Sequence, residues 1–234
     1  MIKNSSIYNL LMKLILGLFI MTNATPIISK IITTKEDRIQ FFVKLDLQAD
    51  KLAEFLPKYK HNTIQTRLEQ GSVAFEMYTN DASKGKFVEL IKWKNKESID
   101  IHFAKEYFKD LTEFREKIEN TPIFFMETIE LSYVAKELIT TDKEYKSIFL
   151  MLSSKDANKT LADFNTLLSS LMLNKDIVEA SLHQATQNST DFVISIKFRP
   201  NTKDSIMKEV LNNNFFITYK PTDVNFAKMI VKFI

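Results

Sequence analysis

Residues 67–108 read RLEQGSVAFEMYTNDASKGKFVELIKWKNKESIDIHFAKEYF, and this stretch decides the fold. It opens on Arg67-x-Glu69-x-Gly71, a charged turn whose glycine suits a positive φ or the close approach of another segment. Arg67 and Glu69 are placed to pair and hold that turn. SVAFEMY follows as a strand, Asn80–Lys86 as a polar turn, and FVELIKW (Phe87–Trp93) as a second strand. Strand alternation puts Phe87, Glu89, Ile91 and Trp93 on one face. A polar stretch and a short helix come next, and the helix presents one histidine, His102.

Outward from this stretch the chain repeats an order of elements. Strand Arg38–Leu45 (RIQFFVKL) leads to a helix with Leu52, Phe55, Leu56 and Tyr59 at helical spacing. Tyr145–Leu152 (YKSIFLML) leads likewise to a helix with Leu161, Phe164, Leu168 and Leu171. FVELIKW is matched by FVISIKF (Phe192–Phe198), which follows its own polar turn, Gln187–Asp191. Each half closes on an apolar strand, Ile123–Val134 and Phe226–Ile234. Strand, helix, strand, strand, helix, strand is the split βαβ order of a ferredoxin-like α+β fold, an antiparallel sheet with helices on one face. The reading is two such domains, residues 36–134 and 144–234, joined by the polar segment Ala135–Lys143. Each half would leave an apolar sheet face in need of cover. A pseudo-dimer within one chain meets that need; two independent domains on a string are the alternative.

On these motifs, roughly residues 37–134 resemble the antibiotic biosynthesis monooxygenase (ABM) domain family. The Arg-x-Glu-x-Gly turn, the strand ending in Trp93, the helix carrying His102 and the aromatic-rich segment FAKEYFKDLTEF carry the resemblance. It implies a dimeric α+β barrel, with sheets facing or last strands exchanging, and oxidation of a small aromatic or quinol-like compound without metal, flavin or other cofactor. It implies His102 as the catalytic base, with Trp93, Glu89, Tyr107 and Phe108 about the substrate. A neutral imidazole can take a proton near neutral pH, and the resulting electron-rich anion reacts with dioxygen. Family members often carry a carboxylate two residues before this Trp. Here that position is Ile91, and Glu89 either substitutes from the same face or sits at a strand edge. Trp93 is a core anchor or a substrate platform. A non-catalytic ligand-binding or scaffold protein of the same fold is the second reading. Haem binding is the third, although the haem-degrading branch uses an Asn that RIQFFVKLDL lacks.

The second half has SIMKE (Ser205–Glu209) in the place of His102, and it contains no glycine. It reads as a degenerate copy, leaving one competent pocket at most. His61, His102 and His183 lack ligand spacing, so no metal site is expected. GxGxxG, P-loop, GxSxG and HExxH motifs are absent, leaving nucleotide, nicotinamide and flavin chemistry without support. The 19 phenylalanines serve as core filler or line an aromatic interior. The formal charge of +3, two of it from Lys3 and Lys13, offers no footprint for nucleic acid. Expected partners are a small hydrophobic or aromatic ligand and, beyond the pseudo-dimer, a possible second copy.

Residues 1–24 have the layout of a cleavable secretory signal: Lys3 and Lys13, the apolar run Leu14–Met21, then Thr22-Asn23-Ala24. The expected protein is periplasmic or secreted and begins near Thr25. N-terminal sequencing of the exported protein checks this; recovery of intact Met1 in the membrane fraction would overturn it.

Overall fold

The computed structural model describes residues 38–79, 81–137 and 143–229. The signal-like segment, most of the Thr-rich linker and the last five residues lie outside them. The first half contains β1 (Ile39–Asp46), α1 (Leu52–Arg67), β2 (Ser72–Thr79), β3 (Lys86–Trp93), α2 (Lys96–Phe103), α3 (Glu106–Glu116) and β4 (Phe124–Ala135). The second contains β5 (Lys146–Ser153), α4 (Ala157–Leu171), β6 (Ile177–Ala185), β7 (Asp191–Phe198), α5 (Asp204–Val210), α6 (Asn214–Tyr219) and β8 (Asp223–Met229). Where one helix was expected after the third strand, each half has two. Lys105 breaks the first pair with an extended backbone, and Asn213 caps the second helix of the other pair.

The eight strands close one barrel in the order β1-β3-β2-β8-β5-β7-β6-β4. Each half supplies a 4-1-3-2 sheet, and the two sheets join at both edges, β2 to β8 and β4 to β6. The twelve-residue β4 does the joining: Phe124–Ile129 pair with β1, while Thr128–Ala135 pair with β6. This is strand exchange of the kind that builds α+β barrel dimers, carried out inside one chain. Closure removes the edges that an isolated half would expose.

Closure also buries both faces of most strands. On β3, Phe87 and Trp93 join the first half's helix-covered core, while Val88 and Leu90 join the core inside the barrel. The second half's helix side is a large apolar cluster that includes Phe164, Phe198, Met207, Phe215 and Phe216. Gly85 lies at φ 68° at the β1–β3 end, where a Cβ would sit 1.9 Å from the Leu47 carbonyl oxygen. Only glycine fits that approach.

One layer of the barrel interior is ionic. Lys92 and Lys197 occupy matched positions in the two repeated strands, and their side chains are 6% and 2% exposed. Lys197 Nζ lies 3.0 Å from Glu76 and 3.5 Å from Glu179; Lys92 Nζ lies 3.3 Å from Glu130 and 3.9 Å from Glu179. The Lys197–Glu76 and Lys92–Glu179 pairs cross between the halves. Burial opposes the Lys197 charge, but Glu179 and Glu76 override it and hold its pKa well above the ordinary lysine value. Removing one member of such a cluster strands buried charge, which costs about 3–5 kcal/mol. Lys197→Ala should therefore shift urea unfolding by about that amount, whereas Lys159→Ala, which breaks an exposed pair with Asp163, should leave the midpoint nearly unchanged. Equal shifts in the two variants would deny the interior cluster this role.

Candidate active site

α1, β3 and the α2–α3 pair enclose a cavity on the helix side of the first half. α1 buries Leu52, Phe55, Tyr59, Asn62, Thr63 and Thr66 along one stripe, and Tyr59 and Asn62 reach the cavity. β3 contributes Glu89, Ile91 and Trp93, as alternation requires. The cavity measures about 110 Å³. Apolar cavities of about 150 Å³ accept benzene, so this space is on the scale of one aromatic ring. Phe103 and Phe125, 42% and 44% exposed, stand between it and solvent.

His102 is delivered by a well-defined local structure. Asn95 caps α2, its Oδ1 accepting from the Ser98 backbone N–H at 3.0 Å. Ser98, Ile99 and His102 then form the buried face of α2. Gly71 makes this docking possible: its φ is 92°, and a Cβ there would lie 2.0 Å from Ser98 Oγ. The Gly71 carbonyl accepts from the Lys94 N–H at 2.8 Å. Both expected reasons for the glycine, positive φ and close approach, are met at once.

The imidazole is 1% exposed and lines the cavity. Its ring centroid lies 4.9 Å from Trp93 and 4.6 Å from Phe108. Nδ1 is 2.8 Å from Glu69 Oε1, so a proton on Nδ1 is donated to the carboxylate and Nε2 is left as the basic nitrogen. Burial lowers the His102 pKa, and the hydrogen bond and charge of Glu69 partly oppose that shift. Tyr107 Oη also donates to Glu69 Oε1. The turn glutamate thus holds His102 and Tyr107, while Arg67 lies at the barrel mouth, where Glu76 is the leading charge acting on it.

Of the residues anticipated around a substrate, Trp93, Glu89 and Phe108 line the cavity with His102. Tyr107 does not; it stands behind the imidazole as a support for Glu69, because its hydroxyl points to the turn. Glu89 is 5% exposed and is no strand-edge surface group. Burial raises its pKa to about 7, with Arg115 pulling the other way. Asn62, at 0% exposure, has both amide atoms without a protein partner, and Trp93 Nε1 is likewise unpartnered. Buried polar groups are nearly always satisfied, so these are the atoms a ligand's polar groups would meet. The sequence reading missed Asn62 and Thr112. Asn62 was detectable as the polar residue that continues the Phe55–Tyr59 stripe; Thr112 carried no signal. Of the remaining histidines, His61 is exposed and His183 is fully buried in the barrel, its Nε2 2.9 Å from Ser181 Oγ.

The family model for antibiotic biosynthesis monooxygenase matches residues 41–113. No curated protein matches the chain. Among solved structures, a candidate monooxygenase from Fusobacterium nucleatum superposes with a TM-score of 0.67 at 12% identity, over 84% of this chain and 93% of its own. A candidate monooxygenase from Lactobacillus acidophilus NCFM gives 0.62 at 14% identity, over 83% and 94%. An anthrone oxidase-like protein gives 0.57 at 11% identity, over 85% and 93%. At such identities the likeness is one of fold, and it extends through both halves of the barrel. The first half of this chain thus carries a match to the antibiotic biosynthesis monooxygenase domain, set in a two-domain chain whose second half completes the barrel.

Proposed function

We propose that the chain is a cofactor-independent monooxygenase of a small aromatic or quinol-like compound, with His102 as the general base. The observation that carries this is the buried His102, tied through Nδ1 to Glu69 and facing an aromatic cavity of one-ring scale. Glu69, Glu89, Trp93 and His102 all fall within the family match at 41–113.

In this reading Nε2 takes the proton of a ring hydroxyl, and Glu69 stabilises the imidazolium that forms. The phenolate donates electron density to dioxygen at a ring carbon. One oxygen atom joins that carbon, the other leaves as water with the two hydrogens lost, and a phenol becomes a quinone. The substrate supplies all four electrons, so no outside reductant is required. The apolar walls exclude water from the intermediate. Trp93 and Phe108, which flank the imidazole, line the space for the ring, and Glu89 and Asn62 receive a second polar group.

A ligand-binding protein without turnover is the second reading. The His102–Glu69–Tyr107 bonds tie α2 and α3 to the β2 turn, and they would serve that purpose without chemistry. Haem is the weakest alternative: about 110 Å³ falls well short of the roughly 300–1,000 Å³ of pockets for larger ligands. Export through residues 1–24 remains part of the proposal.

Oxygen uptake with a panel of phenols and quinols tests the chemistry. His102→Gln keeps a donor toward Glu69 and should lose about 10²–10⁴ in kcat. His102→Ala should cost more stability than a surface histidine would, about 1–3 kcal/mol, because it leaves Glu69 under-satisfied. Trp93→Phe should raise KM more than it lowers kcat. Full activity in His102→Gln would remove His102 from the mechanism, and no uptake with any phenol or quinol would favour the binding reading. Activity should be held above neutral pH and fall on acidification below the ordinary histidine range, since burial depresses the His102 pKa.

Glu89 makes a separate prediction. Its folded pKa of about 7 exceeds the ordinary 4.5, so the folded state binds the extra proton between those values. Stability therefore falls as pH rises through that window, by up to about 3 kcal/mol. Glu89→Gln should flatten this dependence in denaturation measured at pH ~5 and ~8; an unchanged slope would show that Glu89 is not the titrating group.

A further inference from the structure

We propose that the mouth of the barrel is a second binding site, selective for small organic anions that carry an apolar body. It lies on the opposite face of β3 from the His102 cavity: Leu90 and Lys92 line the mouth, whereas Glu89, Ile91 and Trp93 line the cavity. The mouth encloses about 440 Å³. That falls in the range of small-molecule sites, roughly 300–1,000 Å³.

Charge decides the sign of the ligand. The lining holds five cations, Arg38, Arg67, Lys92, Lys136 and Lys197, against three carboxylates, Glu76, Glu137 and Glu179. Two charges just behind the wall are Glu130, which holds Lys92, and Arg199, which holds Glu137. Asp176, which acts on Lys136, is a fifth carboxylate, so among the described residues six cations face five carboxylates, a surplus of one positive charge in a concave site with partly apolar walls. Such walls focus the field and concentrate anions.

The lysines at the floor are committed to carboxylates, so they set the potential and do not grip. The grip falls to the rim. Arg38 and Arg67 line the rim, each with interactions of its own within the protein. Their fork geometry matches a carboxylate. Lys136 is pushed below the ordinary lysine pKa by burial and then by the neighbouring Arg199, and Arg67 is lowered chiefly by burial. An anion at the rim would relieve both. Val73, Leu90, Ala135 and the Tyr133 ring supply the apolar wall that a bare hydrated ion would not use.

The test is calorimetric titration of the purified protein with benzoate, its neutral isostere benzamide, and sulfate. Benzoate should bind saturably at one site, at least tenfold more tightly than benzamide or sulfate. Arg38→Gln combined with Lys136→Gln should weaken benzoate at least tenfold with an unchanged circular dichroism spectrum. His102→Gln should leave it unchanged. Absence of binding, equal binding of benzamide, equal binding of sulfate, indifference to the rim variant, or loss in His102→Gln would each overturn the assignment. The readout is binding alone, so it stands or falls apart from the monooxygenase reading.

Discussion

Closure of the barrel is the constraint from which the rest follows. Once β2 meets β8 and β4 meets β6, every strand of the barrel has two hydrogen-bonded neighbours, and its side chains point either outward, mostly under helices, or into a shared interior. Interior positions from the two halves must then be complementary in charge as well as shape. The Lys197–Glu76 and Lys92–Glu179 pairs meet that demand across the halves. Buried ion pairs are poor sources of net stability, because desolvation offsets their attraction. Their effect here is on register. A one-residue slip of β7 would turn Lys197 from the carboxylates toward the apolar helix-side cluster, so the ionic layer penalises every misalignment of the two sheets.

The halves share a scaffold and differ in what fills it. In the repeated strands, Glu89 corresponds to Ile194 and Trp93 to Phe198. On the second half's helix side, Ile194, Phe198, Phe164, Met207, Phe215 and Phe216 belong to one apolar cluster. On the first half's helix side, Asn62, Glu89 and His102 are buried among aromatic residues. Burying those polar groups costs free energy that the second half does not spend. A chain with two equivalent polar cavities would carry that cost twice. This one confines it to the half whose turn supplies Glu69 as a partner for the histidine.

Much of this was legible in the sequence, for physical reasons. The matched strands FVELIKW and FVISIKF displayed the two-domain arrangement because strands buried on both faces need near-continuous apolar runs. His102 and Trp93 were legible through the family resemblance, because the last turn of a short helix and a strand end fix their neighbourhood locally. Glu69 was misread as a turn partner for Arg67, since its true partners lie 33 and 38 residues along the chain. Tyr107 was placed about the substrate by the family resemblance, which gives a position and not the partner its hydroxyl meets. The ionic layer was hidden for a related reason. A lysine in an apolar strand looks like a solvated edge residue until closure of the barrel brings carboxylates from the other half to it.

β3 separates two environments a single peptide unit apart. Odd-numbered residues from Phe87 to Trp93 face the helices, and even-numbered residues from Val88 to Lys92 face the barrel. The side chains of one set can change without entering the other set's cavity, so the chemistry of the His102 site and the electrostatics of the mouth are chemically independent. They are mechanically joined, because both depend on the same backbone register against β1 and β2. A substitution that alters packing around Lys92 acts on Trp93 through that register and not through contact. The ionic layer between the halves therefore also fixes the position of the wall against which His102 packs.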